Sequence, residues 1–206
     1  MAGTRGIEAL LFDLGGVLLE IDFERVYRHW ARRSRLSVDE IRARFSVDDA
    51  YQGHERGEVD AAGYFDHLRR LLQLECSDAE IAAGWNAVFV GRIEPALAQV
   101  RQARAHLPCY CFTNTNPTHQ AAWSGGYPEL ASLFDEIFVS SELGMRKPER
   151  RAYEAVVRRM GVDPARVLFF DDLAQNIEGA RAAGMQAVLV RGPDDIREGL
   201  AAFPRR

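Results

Sequence analysis

Five short apolar runs, at 8–14, 109–113, 136–140, 167–171 and 187–190, alternate in this chain with stretches of helical periodicity. A short run that is apolar throughout reads as a strand buried on both faces, as a helix-covered parallel sheet requires. Residues 95–105 suit one covering helix, 149–160 a second closed by Gly161, and 174–183 a third closed by Gly184. Strand alternating with helix predicts an α/β chain, a Rossmann-like parallel sheet joined by right-handed crossovers.

The stretch 20–91 breaks this rhythm. It carries helix signals but no convincing strand. Ser37-Val38-Asp39-Glu40 and Ser77-Asp78-Ala79-Glu80 are capping boxes, in which hydroxyl and carboxylate satisfy the free N–H groups of a first turn. Ile41 and Phe45, then Tyr64, Phe65, Leu68, Leu71 and Leu72, recur at helical spacing and read as helix core. The expected organisation is an α/β core of 1–19 and 92–206 with a helical cap subdomain, 20–91, inserted after the first strand and seated over the strand C-termini. The tail, 191–206, is expected to form a surface helix and a frayed end.

A chain of 206 residues supports one good core plus such an elaboration. Its net charge of −4 gives no electrostatic case for nucleic acid. No run of 18 apolar residues suggests a membrane span, and the N-terminus lacks a signal-peptide layout. Cys76, Cys109 and Cys111 read as core thiols of a cytoplasmic protein. Cys109 and Cys111 share one strand face, without the second ligand pair that zinc needs.

The chemistry-bearing residues sit where the apolar runs stop. Asp13 ends the first run beside a Gly-Gly turn, where it is expected to be exposed, with Leu14 and Gly15 N–H groups turned toward an anion. Thr113 and Asn114 end the second. Lys147 stands in Arg146-Lys147-Pro148, a loop opening a helix. Asp171 and Asp172 end Val-Leu-Phe-Phe, with Asn176 one helical turn on to steady them. Each alone is an ordinary turn, cap or surface residue. Together they matter, because strand C-termini of a parallel sheet converge on one crevice. Carboxylates, a hydroxyl and an ammonium around one point suit Mg²⁺ and a phosphoryl group.

In this order the four segments resemble the four motifs of the haloacid dehalogenase-like hydrolase superfamily, and the insertion falls where that superfamily places its first type of cap. Phe12-Asp13-Leu14-Gly15-Gly16-Val17, His54-Glu55-Arg56-Gly57-Glu58, Thr113-Asn114-Thr115-Asn116, Leu143-Gly144-Met145-Arg146-Lys147-Pro148 and Phe169-Phe170-Asp171-Asp172 look most like the bacterial α-D-glucose-1-phosphate phosphatase branch. The resemblance implies a Mg²⁺-dependent phosphatase acting on a small phosphorylated metabolite, such as a sugar phosphate. It implies Asp13 as nucleophile, with Lys147 steadying nucleophile and phosphate. The implied metal ligands are Asp13, the Gly15 carbonyl, Asp172 and its neighbour Asp171, and the implied phosphate-binding groups are Thr113, Asn114 and Lys147.

One position departs from the superfamily. Most of its phosphatases carry a second aspartate two residues after the nucleophile as general acid and base, help typically worth about 10²–10⁴-fold in rate. Here that position is Gly15. The leaving group needs less protonation, or a cap residue substitutes (His54 and Glu55 first), or the protein is slow or silent. Two other readings stay open: a metal-free 2-haloacid dehalogenase, and a silent member binding a phospho-ligand or a protein. Tyr51, His54, Glu55, Arg56, Trp85 and Trp123 are candidate cap contacts to the leaving group.

Overall fold

The computed structural model describes residues 6–202. The chain forms strands β1 (Ala9–Phe12), β2 (Leu19–Ile21), β3 (Phe89–Arg92), β4 (Cys109–Thr113), β5 (Glu136–Val139), β6 (Val167–Asp171) and β7 (Gln186–Leu189). Five of them make one sheet in the order β5-β4-β1-β6-β7, every pairing parallel. The five expected runs are these five strands; 109–113 and 167–171 match at both ends, and the other three differ by a residue or two.

The period of two explains why both faces of this sheet are apolar. Leu10 and Phe12 of β1 and Leu168 and Phe170 of β6 join one core cluster, with Leu97, Val100 and Trp123 from covering helices. Ala9, Leu11, Val167 and Phe169 face the other way, onto Tyr153, Val156 and Ile177. Phe12 and Phe170 stack at 4.9 Å on neighbouring strands. Glu94–Arg104, Pro117–Gly126 and Pro193–Ala202 bury their apolar faces in the first cluster, Arg150–Met160 and Ala174–Ala182 in the second. Gly161 takes a left-handed φ of 69° to close Arg150–Met160, as expected. The last helix docks Ile196 into the core, and the expected frayed end lies at 203–206, outside the described residues. Cys109 and Cys111 are buried free thiols on one face.

Between β2 and β3 run the helices Phe23–Ala31, Val38–Arg44, Asp49–Glu55, Ala61–Leu72 and Asp78–Asn86. Both capping boxes form as expected, Ser37 with Glu40 and Ser77 with Glu80. These helices have their own core, including Trp30, Ile41, Tyr64, Leu68, Ile81 and Trp85. Trp30 and Trp85 stack at 5.6 Å. Gly84 permits that approach, since a Cβ there would lie 2.5 Å from the Trp30 ring.

The sequence gives no strand signal here, yet β2 and β3 pair antiparallel, Leu19 opposite Arg92 and Glu20 opposite Gly91. At three and four residues they are too short to display a period, and Gly91 dilutes the second. This ribbon brings the entry and exit of the inserted helices together.

Candidate active site

β1, β4 and β6 are neighbours in the sheet, so Asp13, Thr113 and Asp171 emerge side by side at their C-terminal ends. The Asp13 N–H still donates to the Phe170 carbonyl at 2.8 Å, extending the ladder one residue past β1. Lys147 reaches in from the loop before Arg150–Met160. Its Nζ lies 2.8 Å from Asp13 Oδ1 and 2.7 Å from Asp171 Oδ2. Phe112 and Phe169 present their rings to the same ammonium at 5.3 and 5.5 Å.

The loop holding Lys147 is clamped from β4. Asn114 Nδ2 donates to the Lys147 carbonyl at 2.9 Å, and the Lys147 N–H donates to Asn114 Oδ1 at 2.8 Å. Asn176 steadies Asp171 as expected, Nδ2 donating to Oδ1 at 2.9 Å, and the Leu173 N–H donates to the same oxygen at 2.8 Å. Asp171 is therefore fully buried and held by Lys147, Asn176 and Leu173, whereas Asp172 faces the cavity.

Two sequence expectations need correction. Asp13 is 7% exposed, not open at the surface: it is paired with Lys147 and lines a cavity that Tyr51, Gln52 and Glu55 of the inserted helices also line. The Leu14 N–H does not await an anion, since it donates to Asp13 Oδ1 at 2.7 Å.

Three carboxylates face one ammonium. Burial pushes Asp13 up to about 8, Lys147 pulling it down and Asp171 and Asp172 pushing it up. Burial raises Asp172 too, with Asp171 adding to it. Burial opposes the Lys147 charge, but Asp13 and Asp171 outweigh it and hold the amine protonated well above its ordinary value. The cluster is short of positive charge. Carboxylate oxygens of Asp13, Asp171 and Asp172 lie within 4.8 Å of one another, an all-oxygen donor set that fits a small hard cation. Gly16 is part of that fit: at φ +79°, a Cβ would stand 2.3 Å from Asp172 Oδ2. Gly15 differs, since its Cβ would meet only Ile21, at an ordinary 3.5 Å.

Above the cluster opens a cavity of about 670 Å³ lined from both the sheet ends and the inserted helices. Asp13, Gly15, Thr113, Asn114, Lys147 and Asp172 all line it. Of the candidate leaving-group contacts, Tyr51, Glu55 and Trp123 reach it, while His54, Arg56 and Trp85 do not. The His54 ring is buried, donates from Nδ1 to the Val59 carbonyl at 2.8 Å and stacks on Tyr64. Glu55 is paired with Arg146, whose Nε donates to Oε2 at 2.7 Å.

Sequence reasoning assigned nothing to Arg146 or His119. Arg146 ties Glu55 to the loop of Lys147. His119 is buried against Trp85, accepts the role of wall residue, and donates from Nε2 to the Trp85 carbonyl at 3.2 Å. A lone histidine two residues after a proline carries no signal of either contact.

Residues 7–184 match the model of the haloacid dehalogenase-like hydrolases, and the chain belongs to that family. A phosphatase of Mycobacterium tuberculosis is 31% identical over 205 residues, covering 94% of this chain and 92% of that protein. A sesquiterpene phosphatase of Aspergillus oryzae is 43% identical over 186 residues, covering 86% and 87%. A solved haloacid dehalogenase-family enzyme of Bacteroides thetaiotaomicron, in complex with magnesium and inorganic phosphate, superposes with a TM-score of 0.81 at 28% identity, covering 91% and 96%.

Proposed function

We propose that this chain hydrolyses a small phosphomonoester through an aspartyl-phosphate on Asp13, with 20–91 acting as the cap over the site. It is a phosphoric monoester hydrolase with Mg²⁺ as cofactor, consistent with the phosphatases it resembles and with the magnesium and phosphate in the Bacteroides structure. The observation that carries the reading is the buried Asp13–Lys147–Asp171 chain of ion pairs at the cavity floor, with Asp172 beside it.

In this mechanism an Asp13 oxygen attacks phosphorus in line, and the bond from phosphorus to the alcohol oxygen breaks. The alcohol oxygen takes that electron pair and a proton from water. Water then attacks phosphorus, releasing inorganic phosphate and restoring the carboxylate. Lys147 holds Asp13 in place and faces the phosphoryl oxygens with a fixed positive charge. The Thr113 hydroxyl binds a phosphoryl oxygen, and Asn114 keeps Lys147 in register. Asp13, the Gly15 carbonyl and Asp172, with the neighbouring Asp171, would hold the metal. Bound Mg²⁺ supplies charge neutralisation at the phosphoryl group, typically several kcal/mol.

Neither of the two candidates to replace the acid absent at Gly15 is free to do so. His54 is outside the cavity, and Glu55 is committed to Arg146. The motifs point to α-D-glucose 1-phosphate as one substrate, and the Aspergillus relative is by name a sesquiterpene phosphatase. Phosphate release from sugar, polyol and hydrocarbon phosphates, with and without Mg²⁺, tests the reading. Metal-dependent release is expected. Tight binding without release would select a silent member, and halide release surviving removal of all divalent cations would select a dehalogenase.

A further inference from the structure

We propose that the preferred substrates are monophosphates of apolar alcohols, aliphatic or aromatic hydrocarbons, ahead of sugar phosphates. This narrows the hydrolase reading and rests on it.

The cavity lining is of two kinds. Asp13, Thr113, Lys147 and Asp172 gather at the strand C-termini. Ile21, Phe23, Val47, Val88, Phe89 and Trp123 supply most of its apolar wall. Its volume of about 670 Å³ far exceeds a phosphoryl group and is of the size that takes a whole organic ligand. The mouth is apolar as well. Among the described residues, four large hydrophobic side chains are classed as exposed: Ile21 at 36%, Val47 at 53%, Val90 at 38% and Leu173 at 47%. Three of these four, all but Val90, line this cavity. Exposed hydrocarbon concentrated at the rim of a concave site marks a surface that a ligand covers.

Several polar groups that hydroxyls could use are already engaged, although Trp123 Nε1 and Asn176 Oδ1 on the lining have no partner among the described residues. Glu55 and Arg146 neutralise each other at 2.7 Å, with Gln52 Oε1 3.5 Å from the same guanidinium. His119 donates to the Trp85 carbonyl. A sugar pressed against Phe23, Val88 and Phe89 would bury hydroxyls without partners, a penalty that a hydrocarbon avoids. Next to the attacking carboxylate, Gly15 offers no side chain, and the atoms beyond it are the methyl groups of Ile21. The first atoms of the leaving group therefore meet hydrocarbon too.

The test measures kcat/KM with Mg²⁺ for straight-chain alkyl phosphates from ethyl to octyl, beside α-D-glucose 1-phosphate, ribitol 5-phosphate and acetyl phosphate. The expected result is a rise of about fourfold per added methylene over the first several, the factor that burying one methylene provides. Val47→Asn, an exposed position whose replacement spares the core, is expected to make that rise shallower. A flat dependence on chain length, or a sugar phosphate preferred tenfold over every alkyl phosphate, overturns the inference while Mg²⁺-dependent acetyl phosphate hydrolysis keeps the hydrolase reading. No release from any of these compounds, acetyl phosphate included, overturns both.

Discussion

The sheet ends and the inserted helices build the same cavity by opposite means. At the sheet ends, charge is held by charge: Lys147 is fully buried yet meets two carboxylates, and Asn114, Asn176 and backbone groups fix the remaining atoms. In the insertion, aromatic packing dominates. Trp85 alone lies within about 6 Å of Phe23, Trp30, Phe45, Tyr51, Tyr64 and His119. Such pairs add roughly 0.5–1.5 kcal/mol each beyond area burial and tolerate exchange of one apolar shape for another. A charge cluster tolerates no such exchange, because a buried charge stripped of its partner costs about 3–5 kcal/mol. One half of the cavity is thus rigid in its chemistry, and the other is free to change what it admits.

The strongest way to break this comparison is to remove the nucleophile. Asp13→Asn is expected to lower turnover at least about 10⁴-fold on every substrate, with an unchanged circular dichroism spectrum. Retained wild-type rates would end the assignment. Lys147→Ala is expected to cost about 10³-fold in kcat and, by leaving Asp13 and Asp171 facing each other, about 3–5 kcal/mol in urea unfolding. A loss of activity at full stability would mean the ion pairs do not hold the sheet ends together. The two glycines divide next. Gly16→Ala is expected to disable the site, its Cβ falling on Asp172, whereas a Cβ at Gly15 meets only Ile21 at ordinary contact, so Gly15→Asp is expected to be tolerated. If the missing acid limits the rate, Gly15→Asp raises kcat on alkyl phosphates by about 10–10²-fold. An inactive Gly15→Asp with an active Gly16→Ala would reverse the geometry.

The smallest effect concerns acid stability. Burial holds His119 down at about 3, against an ordinary 6.5, with nearby His54 adding to the shift. Above pH 6.5 the ring is neutral in folded and unfolded chains alike. As pH falls from 6.5 toward 3, the unfolded chain binds a proton that the folded chain refuses, so stability declines across that window. His119→Gln is expected to flatten this decline, read from denaturant unfolding at several pH values. An unchanged slope would place the acid sensitivity elsewhere.

Legibility in the sequence divides along the same line. β1, β4 and β6 announce themselves because strands buried on both faces are apolar throughout, and their polar stops mark Asp13, Thr113 and Asp171. Parallel pairing then forces those stops together, which is why residues 158 apart in sequence, Asp13 and Asp171, share one lysine. The direction of the Asp171 side chain was not legible, since it is set by Lys147, the Leu173 N–H and Asn176, which meet it only in three dimensions. β2 and β3 stayed hidden because so few residues show no period. The Glu55–Arg146 pair was hidden as well, its members being 91 residues apart with no pattern joining them. Of six cap-contact candidates, Tyr51, Glu55 and Trp123 reach the cavity; helix periodicity reports burial but not whether a buried ring faces core or cavity.

The most direct measurement quenches the Mg²⁺-loaded enzyme in acid during turnover and reads its peptides by mass spectrometry. The peptide containing Asp13 is expected to carry the mass of one phosphoryl group, labile to hydroxylamine and absent from Asp13→Asn. A phosphoryl group on any other residue, or none during rapid turnover, would contradict it.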